Sequence, residues 1–142
     1  MKKIFFCIVT ALFLAACDTP EEIKHKQYIA EGLQLYTIHC ANCHQLNGEG
    51  LGKLYPPIKG SDYLLANKEA VMCAMKNGIK ESMVVNGKTY NHPMPPNVKL
   101  TAMEVAEITT YVYNTWGNED KITLTKTAEA VLEKCPNKAP IL

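Results

Sequence analysis

The residues best placed to do chemistry are Cys40-Ala41-Asn42-Cys43-His44. Two thiols three positions apart can each add to a vinyl group of a haem, and the imidazole that follows them reaches the iron from one face. Two other chemistries use a similar pair. A redox dithiol normally opens a helix after a strand in a βαβ setting, and no such alternation surrounds residues 40–44. A zinc site needs a second ligand pair at comparable spacing, whereas Cys73 and Cys135 stand alone. A second informative stretch is His92-Pro93-Met94-Pro95-Pro96. There a single thioether stands between prolines, in a loop with few accessible conformations. Iron to thioether bonding is weak, so a rigid loop is what such a ligand requires. Met83 and His92 compete for the same role, while Met72 and Met75 read as core.

The pentapeptide resembles the attachment site of the class I, mono-haem c-type cytochromes, and the resemblance extends over roughly residues 28–117. It implies an all-α cytochrome c fold, with helices around one covalently attached haem c and the N- and C-terminal helices crossing. In that family a glycine and an aromatic lie eight and four residues before the first haem cysteine, which falls on Gly32 and Tyr36. A proline twelve residues after the haem histidine accepts its second ring proton, which falls on Pro56. An aliphatic and an aromatic lie fourteen and seventeen residues after the ligand methionine, which from Met94 gives Ile108 and Tyr111. The resemblance therefore implies Cys40 and Cys43 as the thioether anchors, and His44 and Met94 as the axial iron ligands. It also implies Pro56 as the backbone partner that orients His44.

Those elements must be carried by a chain of 142 residues, 47% hydrophobic and 20% charged, an ordinary balance for one soluble domain. Its beginning is different. Lys2 and Lys3 precede an apolar run from Ile4 to Ala16, too short for a transmembrane helix and suited to a signal peptide over residues 1–16. Leu14-Ala15-Ala16-Cys17 is similar to the lipobox of bacterial lipoproteins, which makes Cys17 a lipidation site; a plain signal peptide cut near Ala16 is the alternative. Asp18 after it resembles an inner-membrane retention signal. The protein is thus expected to be exported and lipid-anchored on the periplasmic side of a bacterial membrane, with the inner membrane slightly favoured.

Loss of residues 1–16 leaves 13 lysines against 14 acidic residues, a net charge of −1. That balance gives no case for nucleic acid. Every basic residue apart from histidine is lysine, so haem propionates must be met by lysine, tyrosine, Trp116 or backbone amides. Of six cysteines, Cys7 leaves with the signal and Cys73 and Cys135 remain unassigned. An oxidising compartment makes a disulfide between them plausible, worth about 4 kcal/mol in the loop-entropy model; two unpaired buried thiols are the alternative.

In chain order, residues 17–26 read as a lipidated N-terminus and polar tether, with His25 solvated. Residues 27–117 form the cytochrome domain. Its first helix leads into Cys40, with Ile29, Leu33, Tyr36 and Gly32 on one side and His39 exposed. Gly48, Gly50 and Gly52 mark a loop where backbone passes close to a haem edge. Ser61 caps a short helix, and Asn67 caps a helix over residues 68–77 stopped by Gly78. Asn86-Gly87 is the turn of a small hairpin. Thr101-x-x-Glu104 is a capping box opening the last domain helix, which presents Val105, Ile108, Tyr111, Val112 and Trp116. Residues 118–142 form an extension packed on the domain, with a helix over 127–134; a partner-binding tail is the alternative.

With both axial positions filled, the expected function is one-electron transfer between larger redox protein complexes through transient contact, without enzymatic activity or a small-molecule substrate. The alternatives are a haem enzyme or gas sensor with a displaceable Met94, or a dedicated cytochrome subunit of one oxidoreductase.

Overall fold

The computed structural model describes residues 18–136. The expected signal peptide, Cys7 and Cys17 lie outside the described residues, as do residues 137–142. The first helix, α1, runs from Pro20 to His39. It begins inside the segment expected to be a tether, and the cause is local. Thr19 accepts a hydrogen bond from the Glu22 amide while the Glu22 carboxylate accepts one from the Thr19 amide. Pro20 occupies the first turn, where a missing N–H costs nothing. His25 is not solvated as expected: its Nε2 pairs with Asn114 Oδ1 at 2.9 Å. Leu33 is also corrected, being exposed rather than part of the packed stripe.

After α1 come a single turn, α2, at Ala41–His44, then α3 at Asp62–Ala66 and α4 at Lys68–Asn77. The Ser61 hydroxyl caps α3 by accepting from the Leu64 amide. Asn67 does not cap α4 through its side chain, which instead donates back to the Tyr63 carbonyl. Strands β1, Met83–Val85, and β2, Lys88–Tyr90, pair antiparallel in the register Val85 to Lys88. Asn86 and Gly87 both take positive φ, 52° and 71°, as a two-residue hairpin turn demands. Asn86 also joins the hairpin to α3: its Oδ1 accepts from the Asp62 amide, and its own amide donates to Asp62 Oδ1.

Helix α5, Ala102–Trp116, opens on the Thr101/Glu104 capping box and is buried along most of its length. It crosses α1 at Gly32, where an added Cβ would sit 2.7 Å from Tyr111 Cβ and overlap the Glu107 carbonyl. Only glycine permits that approach. Around the crossing, Tyr36, Tyr111 and Trp116 form a triad with ring centroids 5.4–5.6 Å apart, and Ile108 and Val112 complete the core. Helix α6, Thr125–Lys134, starts two residues before the expected position and buries Ala128 and Val131 against the domain. A disulfide joins Cys73 on α4 to Cys135 just past α6, with Cα atoms 5.5 Å apart.

Candidate functional site: an apolar cleft between two prolyl loops

The turn at Ala41–His44 continues α1 with a change of direction, so both thiols and the imidazole are set by one fixed backbone. The hydroxyl of Tyr36, fully buried, donates to the Gln45 carbonyl at 2.8 Å and locks the exit from that turn. Gly50 then passes so close to Tyr55 and Pro56 that a side chain would strike their backbone. That approach brings Pro56 to the histidine.

His44 Nδ1 lies 3.0 Å from the Pro56 carbonyl oxygen. A carbonyl only accepts, so Nδ1 carries the proton and Nε2 keeps its lone pair. Burial holds the ring below its ordinary basicity, opposed by the Pro56 bond. The side chain is therefore a neutral imidazole, oriented by one partner and ready to ligate a metal through Nε2. Cys40 and Cys43 are free thiols. Burial, and then the neighbouring Cys43, push the Cys40 thiol up to about 12. Redox-active dithiols depend on the opposite shift, so this environment disfavours a dithiol oxidoreductase.

These three side chains line one cleft together with Met94, Met75, Ile79, Ile108 and Val112. Its walls are mostly apolar, as a cofactor site requires. Met94 is held from behind. Its amide donates to the Ile79 carbonyl and its carbonyl accepts from the Ile79 amide, both at 2.9 Å. Met83 and His92, the competing sixth ligands, line the same cleft. His92 packs edge-on against Tyr55 at 4.9 Å, linking the loop that bears Pro56 to the loop that bears Met94. Met72 is fully buried and does not line the cleft; Met75 lines it, with 7% of its surface exposed.

Of the partners expected for propionates, Tyr55 and Tyr63 line the cleft, and no lysine does. Trp116 does not reach it either, because its ring is taken up by Tyr36, Tyr111 and the backbone of Gly48. Two positioning features have no signature in the sequence. One is the Tyr55–His92 ring contact. The other is Gly78, whose missing side chain lets the backbone of residues 94–96 lie against the end of α4. Gly78 reads from the sequence only as a helix stop.

Haem fits the residues present. Two thiols stand three apart, a histidine has one nitrogen tied and the other free, a thioether lies in a hydrogen-bonded loop, and apolar walls surround the cleft. Among the described residues, no group of three or more histidine, cysteine, aspartate or glutamate side chains is arranged to hold a bare metal ion. The chain is similar to cytochrome c-552 of Thermus thermophilus, with 31% identity over 97 residues, spanning 66% of this chain and 73% of that protein. It is also similar to the cytochrome c subunit of a quinone alcohol dehydrogenase from Gluconacetobacter polyoxogenes, with 26% identity over 98 residues, but it spans only 20% of that subunit. The family model described as Cytochrome c matches residues 29–116, most of the described helical domain, and with it the chain belongs to the cytochrome c family, whose covalently attached haem c it carries.

Proposed function

We propose that this protein is a one-electron carrier: Cys40 and Cys43 hold the haem, His44 and Met94 are its axial ligands, and Cys17 tethers the exported protein to the periplasmic face of a membrane. The haem supplies a one-electron couple at the iron. The chain's own residues decide what else can happen there. His44, kept neutral and oriented by Pro56, would offer Nε2 to the iron. Met94, fixed to Ile79 by a pair of backbone hydrogen bonds, would offer its thioether and so exclude water and small ligands. Apolar walls disfavour extra charge, and a thioether opposite imidazole raises the reduction potential.

The single observation that carries this reading is the double backbone bond between Ile79 and Met94, because a methionine held that rigidly at a cofactor cleft suits a permanent ligand better than a displaceable one. Redox protein complexes are the partners, met through small transient contacts. Neither a nucleic acid nor a small-molecule substrate is called for. The packing of α6 and the Cys73–Cys135 bond support an extension that straps the domain rather than a free docking tail. No helix among the described residues is long and apolar enough to cross a membrane.

The test is spectroscopic. The ferric holoprotein should show the red-edge absorption band of methionine ligation, Met94→Ala should lose it, and Met83→Ala and His92→Ala should keep it. Ready carbon monoxide binding by the ferrous wild-type protein at neutral pH would remove the carrier reading and favour a ligand-binding haem protein. Metabolic labelling with a fatty acid that is lost in Cys17→Ala tests the tether.

A further inference from the structure

We propose that the C-terminal extension is a positioning clamp for the iron ligand: α6, through the Cys73–Cys135 disulfide, holds α4 from behind, and α4 in turn holds the Met94 loop. This rests on the reading of Met94 as the sixth ligand.

Helix α4 has two working faces. Val71, Ala74 and Met75 line the cleft, while Cys73, off that stripe, is bonded to Cys135. The chain from residue 94 to residue 100 hangs on the last turn of α4 and on Ile79 just beyond its end. Ile79 pairs with Met94, the Asn97 amide donates to the Met75 carbonyl at 3.3 Å, and Lys76 Nζ donates to the carbonyls of Val98 and Leu100. At Gly78, φ is +72° and an added Cβ would lie 2.7 Å from Pro96 N. The loop is thus pressed directly on the helix end, with no side chain between to absorb movement. A displacement of α4 is passed on to Met94.

What opposes such a displacement comes from the extension. Cys135 and Val131 lie in the same core cluster as Met72 and Met75. Asn77 Nδ2 donates to the Pro136 carbonyl at 3.4 Å, and Lys68, at the other end of α4, pairs with Glu119 of the extension. The bond also closes a loop between residues 62 apart that contains residue 94 itself. Local opening that would carry the thioether away from the cleft is therefore restrained by a covalent link on the far side of the helix.

The experiment uses the mature ferrous holoprotein and carbon monoxide. The wild-type protein should take up carbon monoxide only slowly, and at saturating carbon monoxide the rate should reach a plateau set by loss of the Met94 ligand. In the Cys73→Ala/Cys135→Ala variant this plateau should rise by about tenfold, the size of coupling common between groups linked through a shared backbone shift. Haem stoichiometry by mass spectrometry and the ferric red-edge band should stay intact. If that variant fails to mature, wild-type holoprotein treated with a dithiol gives the same comparison. The reagent becomes a cyclic disulfide as Cys73 and Cys135 become thiols, and the plateau should rise by the same factor.

An unchanged plateau with a lowered melting temperature overturns the clamp and leaves an ordinary staple. Absence of the red-edge band from the untreated wild-type protein overturns the ligand assignment, and the clamp with it. That failure shows in a different sample from the first.

Discussion

Replacing Gly32 by alanine sets two effects of opposite sign against each other. Helix propensity alone favours alanine over glycine inside a helix by about 1 kcal/mol, so a residue on the open face of α1 would gain stability. At Gly32 the new Cβ would meet Tyr111 Cβ at 2.7 Å and the Glu107 carbonyl carbon at 2.8 Å, and it would overlap the carbonyl oxygen. These atoms belong to the backbone and first side-chain carbon of α5, so no rotamer change relieves the clash. The helices must draw apart by about 0.5–1 Å, which forfeits about a quarter to a half of the dispersion energy along the contact. That contact includes Tyr36 and Ile108, both fully buried. Overpacking costs about 1–3 kcal/mol, and two rigid backbones place this case near the upper figure. After the propensity gain the net loss is about 2 kcal/mol, equal to a melting temperature about 8 °C lower for a folded unit of about 120 residues. Thermal unfolding of the holoprotein, followed by far-ultraviolet circular dichroism, measures it. A melting temperature equal to or above wild type would refute the crossing as described, because propensity would then have prevailed.

Glu107 gives a pH-dependent case. Burial first, then the charges of Glu31 and Glu104, hold its carboxyl above the ordinary value of 4.5. A raised folded-state pKa means that the favourable state is the protonated one. Its stability is fully present below 4.5 and is lost as pH rises through the raised value. Glu107→Gln should therefore raise the melting temperature at pH 7 and leave it unchanged near pH 4; an equal gain at both would rule out the charge as the cause. Thr123 Oγ1 is buried without a hydrogen-bond partner, so Thr123→Val, of the same shape, should be neutral or stabilising by about 1 kcal/mol in denaturant titration, and a clear loss would show a hidden partner. Tyr36→Phe removes the 2.8 Å bond to the Gln45 carbonyl, which keeps the Gly48 amide as a donor, and should cost about 1 kcal/mol in the same titration, with haem attachment retained.

The features legible in the sequence are the local ones. Cys40, Cys43 and His44 lie within five positions of one another, and the Thr101/Glu104 capping box closes within one turn, so both are visible as spacing. Thr19 and Glu22 form the same T-x-x-E pattern, yet the sequence around them reads as a tether. It lacks an apolar stripe, and Pro20 reads as a breaker unless it is recognised as a first-turn residue. The pairing of His25 with Asn114, 89 positions away, leaves no trace in the spacing of either residue. Nor does the pressing of Gly78 against the Met94 loop. Asn67 shows the limit of residue preference: an asparagine stands at the right place to cap α4, and its amide is drawn to Tyr63 instead.

The early start of α1 changes what the proposed anchor can do. With the lipid on Cys17, only Asp18 and Thr19 separate the membrane from a capped helix, a reach of about 7 Å when extended. Helix α1 has 20 residues and is about 30 Å long, and Cys40 comes directly after its last residue. Cys40 and Cys43 would thus lie within about 40 Å of the proposed anchor, joined to it by a helix rather than by a slack chain. Freedom remains in the tilt of that helix at the membrane and in the two residues before it. A carrier held in this way would search a shallow shell above the bilayer, and it would exchange electrons only with complexes whose own redox centre comes to the surface within that height.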